Sequence, residues 1–346
     1  MMARSAAPSA PESNPIRTRA DWQRMRDACL QDPGAFHGDI AAREIHWYDA
    51  ATHAWLSLGD DAHWHGYDAT TGAPVAARPR AAWQPWTRAL DDDDPPFYRW
   101  FADARTNACF NEVDRHVLAG HGDEPAFLVE GDRWDQSRDG GRGGPVVSFA
   151  LSRRRLLVEV ARCAIALRQM GLVAGDRLAL NLPNIPEQVM WTEAAKRLGI
   201  VYTPVFGGFS DKTLADRVYD AGARVVITAD GGLRNAQVIP FKAAYTDPAL
   251  DRYIAAEQAL VAVADSANAL GLSAPDAARL VAEAARAIAG EVTVERSDVM
   301  RGVGRALLAF TEAGTLDATA ASRARTTLAR ALVDVTSRVE KVIVVR

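Results

Sequence analysis

The 346 residues carry 40 basic and 44 acidic side chains, a net charge of −4, and are 48% hydrophobic and 24% charged. That balance excludes a fibrous or wholly disordered chain and leaves no bulk positive charge to claim nucleic acid or an anionic membrane. The length accommodates two domains or one large one. Lys196, Lys212, Lys242 and Lys341 are the only lysines, the other basic residues are arginine, and no Gly-Lys pair exists, which removes the Walker-type phosphate loop. All seven histidines lie at or before His121 and eight of nine tryptophans at or before Trp134, so the chain is compositionally at least two things.

Residues 1–20 mix Ala, Pro, Ser and Arg without an apolar stretch and read as a disordered leader rather than a transit peptide. Cys29, Cys109 and Cys163 are widely spaced and odd in number, which disfavours a disulfide framework and fits a reducing cytoplasm. No apolar run approaches the length of a membrane span.

Residues 21–135 form an aromatic-rich, irregular segment. Asp21 is placed to cap a short helix through Leu30, with Trp22, Met25 and Cys29 at helical spacing. Trp47, Trp55, Trp64, Trp83 and Trp86 sit among Gly, Asp and Pro; the acidic run Asp91–Asp94 argues against a stacking surface for single strands, and the rings read as anchors by which a loop-rich segment packs onto a larger body. Residues 136–241 read differently. A strand over 145–150 enters a helix at Ser152, in which Leu156, Val160, Cys163, Ala164 and Leu167 form one stripe. Gly171 stops that helix, and a strand follows over 177–182. Pro186 opens a helix ending at Gly199, a strand runs over 200–206, Ser210 caps another helix, and a further strand covers 224–228. This alternation demands parallel pairing with right-handed crossovers, a doubly wound α/β unit.

Residues 242–338 hold several helices. Alanine makes up 27 of residues 241–340, turns fall at 271–275, Gly290 and Gly314, and stripes are formed by Leu260, Val263 and Ala267 and by Leu280, Val281, Ala284, Ala285 and Ile288. They read as a self-packed bundle in preference to a docking element. Residues 339–346 carry an apolar, β-branched run, the signature of a buried parallel strand.

Compact catalytic signatures are few: there is no G-x-G-x-x-G, H-E-x-x-H, G-x-S-x-G or zinc spacing. His37, His46, His53, His63 and His65 lack a cysteine or carboxylate pattern around them. Asn107, Asn111, Asp114, Arg115 and His116 cluster in TNACFNEVDRH, where a capped helix start is favoured over a proton-transfer site. Two loops at strand carboxyl ends are better candidates. Phe206, Gly207 and Gly208 follow a strand and precede a helix, suiting either close approach of a ligand or a tight turn. Asp230, Gly231, Gly232, Arg234, Asn235, Ala236 and Gln237 follow the next strand, and an arginine in such a loop suits a phosphate.

Five blocks in order resemble AMP-forming acetyl-CoA and propionyl-CoA synthetases: PFYRWFADARTNACFNEVDRHV (Pro96–Val117), GLVAGDRLALNLPNIPE (Gly171–Glu187), VFGGFSDKTLADR (Val205–Arg217), VVITADGGLR (Val225–Arg234) and RVEKVIVVR (Arg338–Arg346). The resemblance implies the N-terminal part of the large domain of adenylate-forming enzymes: a loop-rich N-terminal segment, a doubly wound parallel sheet and an α-helical insert. It implies a ligase that joins a short-chain carboxylate to ATP with Mg2+, releasing pyrophosphate, after which coenzyme A displaces AMP. By position, Phe206, Gly207 and Gly208 would face the adenine of coenzyme A, and Arg234, Asn235, Ala236 and Gln237 its phosphates; the family usually has a second basic residue where Gln237 stands. The helical stretch and the opening HGDIAAREIHW (His37–Trp47) are most similar to propionyl-CoA synthases, multifunctional enzymes that fuse a 3-hydroxypropionate-activating region to hydratase and reductase regions. In the family, the ATP-phosphate loop and the adenylation lysine follow the KVIVVR strand, so the resemblance implies no catalytic residue and no adenylation in these residues alone.

Overall fold

Thr18, rather than Asp21, starts the first helix. In this computed structural model, which describes residues 16–207, 210–289, 293–333 and 341–345, the Thr18 hydroxyl accepts the Asp21 N–H at 3.1 Å while the Asp21 carboxylate accepts the Thr18 N–H at 2.8 Å. This reciprocal capping box opens α1 (Arg19–Gln31), and Asp32 then caps α2 (Pro33–Glu44). The helix thus begins inside the predicted leader, of which residues 1–15 lie outside the described residues.

The chain divides into two units, Met1–Glu124 and Pro125–Arg346. The compositional boundary at 135 falls inside the second. In the first unit, β1 (Trp47–Asp49), β2 (Ala54–Leu58), β3 (His63–Asp68) and β4 (Arg78–Pro79) form an antiparallel sheet in that order. Ala54, Leu56 and Leu58 alternate inward and pack with Ala41, Ala42, Trp47, Trp64 and Trp86. The buried indoles keep their N–H groups satisfied: Trp47 donates to the Ala41 carbonyl at 2.8 Å and Trp64 to that of Trp83 at 3.1 Å. Rings named as anchors therefore also build a core of their own. β5 (Leu90–Asp91) pairs with β6 (Arg99–Trp100), and Arg88 and Arg99 both pair with Asp91. Asn111 clamps the chain entering β1: its side-chain oxygen accepts the His46 N–H at 2.8 Å and its amide donates to the His46 carbonyl at 3.2 Å. That clamp gives Asn111 a structural role.

The second unit opens with a long antiparallel hairpin. β7 (Pro125–Glu130) pairs with β10 (Ser148–Ser152), and β8 (Trp134–Asp135) pairs with β9 (Gly144–Pro145) between them. Ser152 then caps α3 (Arg153–Gln169), accepting the Arg155 N–H at 3.2 Å. Leu156, Val160, Ala164 and Leu167 are buried along its predicted stripe, with Cys163 at the margin. The chain continues through β11 (Arg177–Asn181), α4 (Pro186–Leu198), β12 (Val201–Pro204), α5 (Asp211–Asp220) and β13 (Val225–Ala229). Gly199 ends α4 at φ 69°, a left-handed position that glycine adopts without steric penalty. A small hairpin, β14 (Gly232–Arg234) with β15 (Gln237–Ile239), leads to α6 (Asp247–Arg252).

A helical bundle follows. β16 (Tyr253–Ala255) precedes α7 (Ala256–Ala269) and α8 (Ala274–Ala287), and pairs with β17 (Thr293–Glu295), which precedes α9 (Arg296–Glu312) and α10 (Ala318–Val333). Val263, Ala267, Leu280, Ala284, Val303, Phe310 and Leu328 share one buried core. Alanine suits it because α8 and α9 approach closely: a Cβ on Gly302 would lie 2.7 Å from the Ala284 Cα. Of the predicted stripes, Val263, Ala267, Leu280, Ala284 and Ile288 are buried, whereas Ala285 is half-exposed. The predicted turn residue Gly290 lies outside the described residues.

The chain returns to the sheet as β18 (Lys341–Val345), with residues 334–340 and 346 outside the described residues. The sheet order is β12-β11-β13-β18, parallel throughout. β18 is half-buried rather than fully buried, because among the described residues it has a neighbour on one side only. From β11 the chain steps outward to β12, then returns to the other side of β11 as β13. The carboxyl ends of β11 and β13 are therefore a topological switch point, where open α/β sheets place ligands. No described helix is long and apolar enough to cross a membrane.

Candidate functional site

A cleft of about 610 Å³ lies at that switch point. Leu182, Pro183, Asn184 and Ile185, the loop after β11, form one wall, and Phe206 and Gly207 after β12 form another. Leu233 and Arg234 of β14 line the third side, Phe241 the floor, and Glu130, Gly131 and Asp132 enter from the end of β7. Helix α4 starts on this wall, and its cap residue Ile185 supplies no side-chain acceptor.

Beneath the cleft, a buried polar trio fixes the strand ends. Asn181 and Thr228 face each other across β11 and β13, the Asn181 amide donates to the Thr246 hydroxyl at 3.0 Å, and that hydroxyl donates to Thr228 at 2.7 Å. All three side chains are buried, so each bond matters more than its surface equivalent. Thr246 ties the start of the helical segment to the sheet here.

Phe241 organises the two candidate loops. A Cβ on Gly207 would lie 2.6 Å from its Cε1, and one on Gly232 would lie 3.0 Å from its Cε2 and 2.8 Å from Pro183 Cβ. The close approach these glycines permit is thus made by the buried Phe241 ring. Gly207 and Gly232 let the loops after β12 and β13 close over one aromatic side chain. Phe206, by contrast, is 61% exposed and lines the cleft. Gly208 lies outside the described residues.

The predicted phosphate loop is the β14–β15 hairpin. Arg234 pairs with Gln237 across it, and Asn235 and Ala236 form its two-residue turn at φ 52° and 60°. The Arg234 guanidinium makes no ion pair or hydrogen bond among the described residues and lines the cleft. The Ala236 N–H is taken by the Asp132 carboxylate at 2.6 Å. Gln237, opposite Arg234 in the hairpin register, is not among the residues that line the cleft. Of the residues singled out from the sequence, Phe206, Gly207 and Arg234 line the cleft, and they share it with Phe241, Asp132 and the 182–185 loop, which were not singled out. The last was visible as a strand end; Phe241 and Asp132 carry no spacing signal, because their roles arise only when distant segments meet.

Burial, with smaller contributions from Glu159 and Glu187, pushes the Cys163 thiol up to about 12, which favours the neutral thiol over the thiolate. Among the described residues no group of three or more His, Cys, Asp or Glu side chains is placed to hold a metal ion.

Comparison with known proteins bears on this arrangement. The family described as AMP-binding enzyme matches residues 146–284, and acetyl-coenzyme A synthetase N-terminus matches residues 76–111. These matches support the AMP-binding enzyme family. The chain is 42% identical over 187 residues to acetyl-coenzyme A synthetase of Mycobacterium bovis, covering 54% of this chain and 25% of that protein. It is 43% identical over 175 residues to that of Streptomyces coelicolor, covering 51% and 25%. With that of Rhodopirellula baltica it shares 30% identity over 246 residues, 71% of this chain and 30% of the relative. The chain thus spans between 25% and 30% of the length of these relatives. The AMP-binding match includes the whole cleft after Pro145 and runs on into α8.

Proposed function

We propose that this chain is the N-terminal region of an ATP-dependent, AMP-forming short-chain acyl-CoA synthetase, and that its cleft takes the nucleotide part of coenzyme A. The carrying observation is that the Arg234 guanidinium, without an ion pair or hydrogen bond among the described residues, and the exposed Phe206 ring line one cleft at the switch point of a parallel sheet. A guanidinium grips a phosphate through charge-assisted, paired hydrogen bonds, and an exposed ring offers a stacking face to adenine. In the reaction proposed, a carboxylate oxygen attacks the ATP α-phosphate and expels pyrophosphate; the coenzyme A thiol then displaces AMP to form the thioester.

Titrating coenzyme A calorimetrically into the chain tests this reading. Micromolar binding is expected, weakened about tenfold by Arg234→Ala, the loss of roughly one charge-assisted contact. Absence of binding to the wild-type chain overturns it.

Adenylation itself is proposed to be absent from these residues alone. Lys196, Lys212 and Lys242 pair with Glu193, Asp216 and Asp247 at 2.8, 2.8 and 2.6 Å, and none lines the cleft. None of these three lysines is therefore offered to a transferring phosphate. Carboxylate identity has two readings. The relatives' names favour acetate, whereas the Ala-rich bundle α7–α10 and the HGDIAAREIHW opening favour 3-hydroxypropionate in a propionyl-CoA synthase, with fused hydratase and reductase regions. Pyrophosphate release by the whole protein with acetate, propionate and 3-hydroxypropionate separates them. Three free thiols support a reducing, cytoplasmic setting.

A further inference from the structure

The hairpin that carries Arg234 has little to hold its tip. β14 and β15 have three residues each and, among the described residues, pair only with each other. Two-stranded hairpins of this size are marginal in water. The turn is also sterically unfavourable: Ala236, with φ 60°, occupies the position where hairpin turns of this type prefer glycine.

One contact opposes this. The Ala236 N–H donates to Asp132 Oδ2 at 2.6 Å, joining the turn to a loop 104 residues earlier. A carboxylate accepting from an amide is among the stronger protein hydrogen bonds. Among the described residues, this is the only hydrogen bond of the Asp132 carboxylate, which forms no ion pair with Arg234. Asp132 therefore grips the backbone beside the arginine and leaves the guanidinium itself uncommitted. A carboxylate that bound the guanidinium would compete with an incoming phosphate; one that binds the neighbouring amide fixes the turn and does not neutralise the cation.

We infer that Asp132 is a positioning residue, whose carboxylate holds the β14–β15 turn so that Arg234 is presented to an anionic phosphate group in the cleft. The inference rests on the coenzyme A reading for the identity of that phosphate. The tie to Ala236 can be tested without any ligand.

The test uses the full chain with Asp132→Ala, Asp132→Asn and Arg234→Ala. Asp132→Asn keeps an acceptor oxygen in the same place; Asp132→Ala removes it. In hydrogen–deuterium exchange without ligand, the Ala236 amide is expected to exchange about tenfold faster in Asp132→Ala and near the wild-type rate in Asp132→Asn. In calorimetry, Asp132→Ala is expected to weaken coenzyme A about tenfold, Asp132→Asn to restore most of that, and Asp132→Ala to add little on top of Arg234→Ala. Unchanged exchange in Asp132→Ala overturns the tie. Tighter coenzyme A binding by Asp132→Ala also overturns the inference, since the carboxylate would then be a competitor. If the wild-type chain does not bind coenzyme A, the nucleotide reading and the presentation of Arg234 to its phosphates fall together, while the exchange result still decides whether Asp132 holds the turn.

Discussion

Replacing Gly207 by alanine should disturb the cleft through the Phe241 ring, and the structure gives the means to show it. The added Cβ would stand 2.6 Å from Cε1 and 2.8 Å from Cζ of a side chain that is only 3% exposed. Real Cβ atoms do not approach a ring so closely, so ring or loop must shift; overpacking of this kind costs about 1–3 kcal/mol. Phe241→Leu alone removes part of a buried ring and should cost about 1–2 kcal/mol. It also vacates the space that the new methyl needs. In the double variant, Gly207→Ala should therefore cost little, giving a favourable coupling of about 1–2 kcal/mol. Urea unfolding of the four chains, followed by circular dichroism, measures this. Additivity within about 0.5 kcal/mol would refute the reasoning and would return Gly207 to the role of a ligand-facing glycine.

Other consequences are equally specific. Thr246→Val keeps the shape but leaves Asn181 and Thr228 without their shared hydroxyl, so about 2–4 kcal/mol of stability should be lost, read as a lower urea midpoint. In the first unit, burial, then the charges of Arg115 and His116, lowers the His46 imidazole to about 4 from its ordinary 6.5. The unfolded chain thus binds more protons between those values; the stability His46 contributes is full above pH 6.5 and is lost as pH falls toward 4, by up to about 3 kcal/mol. His46→Gln should flatten that part of the stability–pH profile. Phe310→Ala should cost about 3–5 kcal/mol in the fully buried bundle core, seen as a lower thermal midpoint.

Much of the sheet was legible because its punctuation is local. Ser152, Pro186, Gly199 and Ser210 each act within one turn of chain, and each marks the helix end expected of it. Asp21 signals a helix start because acidic residues often cap; the structure gives the cap to Thr18 and places Asp21 three residues in, a reciprocal arrangement that a single-residue signal does not show. The tryptophan-rich segment hid its sheet for a different reason. Its strands are short, and Gly, Asp and Pro between them mask the period-two alternation that β1 and β2 display. Arg234 and Phe206 were legible as residues at strand ends. What they face was not: Phe241 and Asp132 reach them from other segments, and no periodicity relates residue 132 to residue 236.

The cleft as a nucleotide site is the central claim, and locating bound coenzyme A tests it most directly. Hydrogen–deuterium exchange of the chain with and without saturating coenzyme A resolves the segments that line the cleft. The account predicts added protection over residues 130–132, 182–185 and 232–236, with the bundle α7–α10 unchanged. Protection confined to the bundle, or none at the switch point under conditions where calorimetry shows binding, would contradict it.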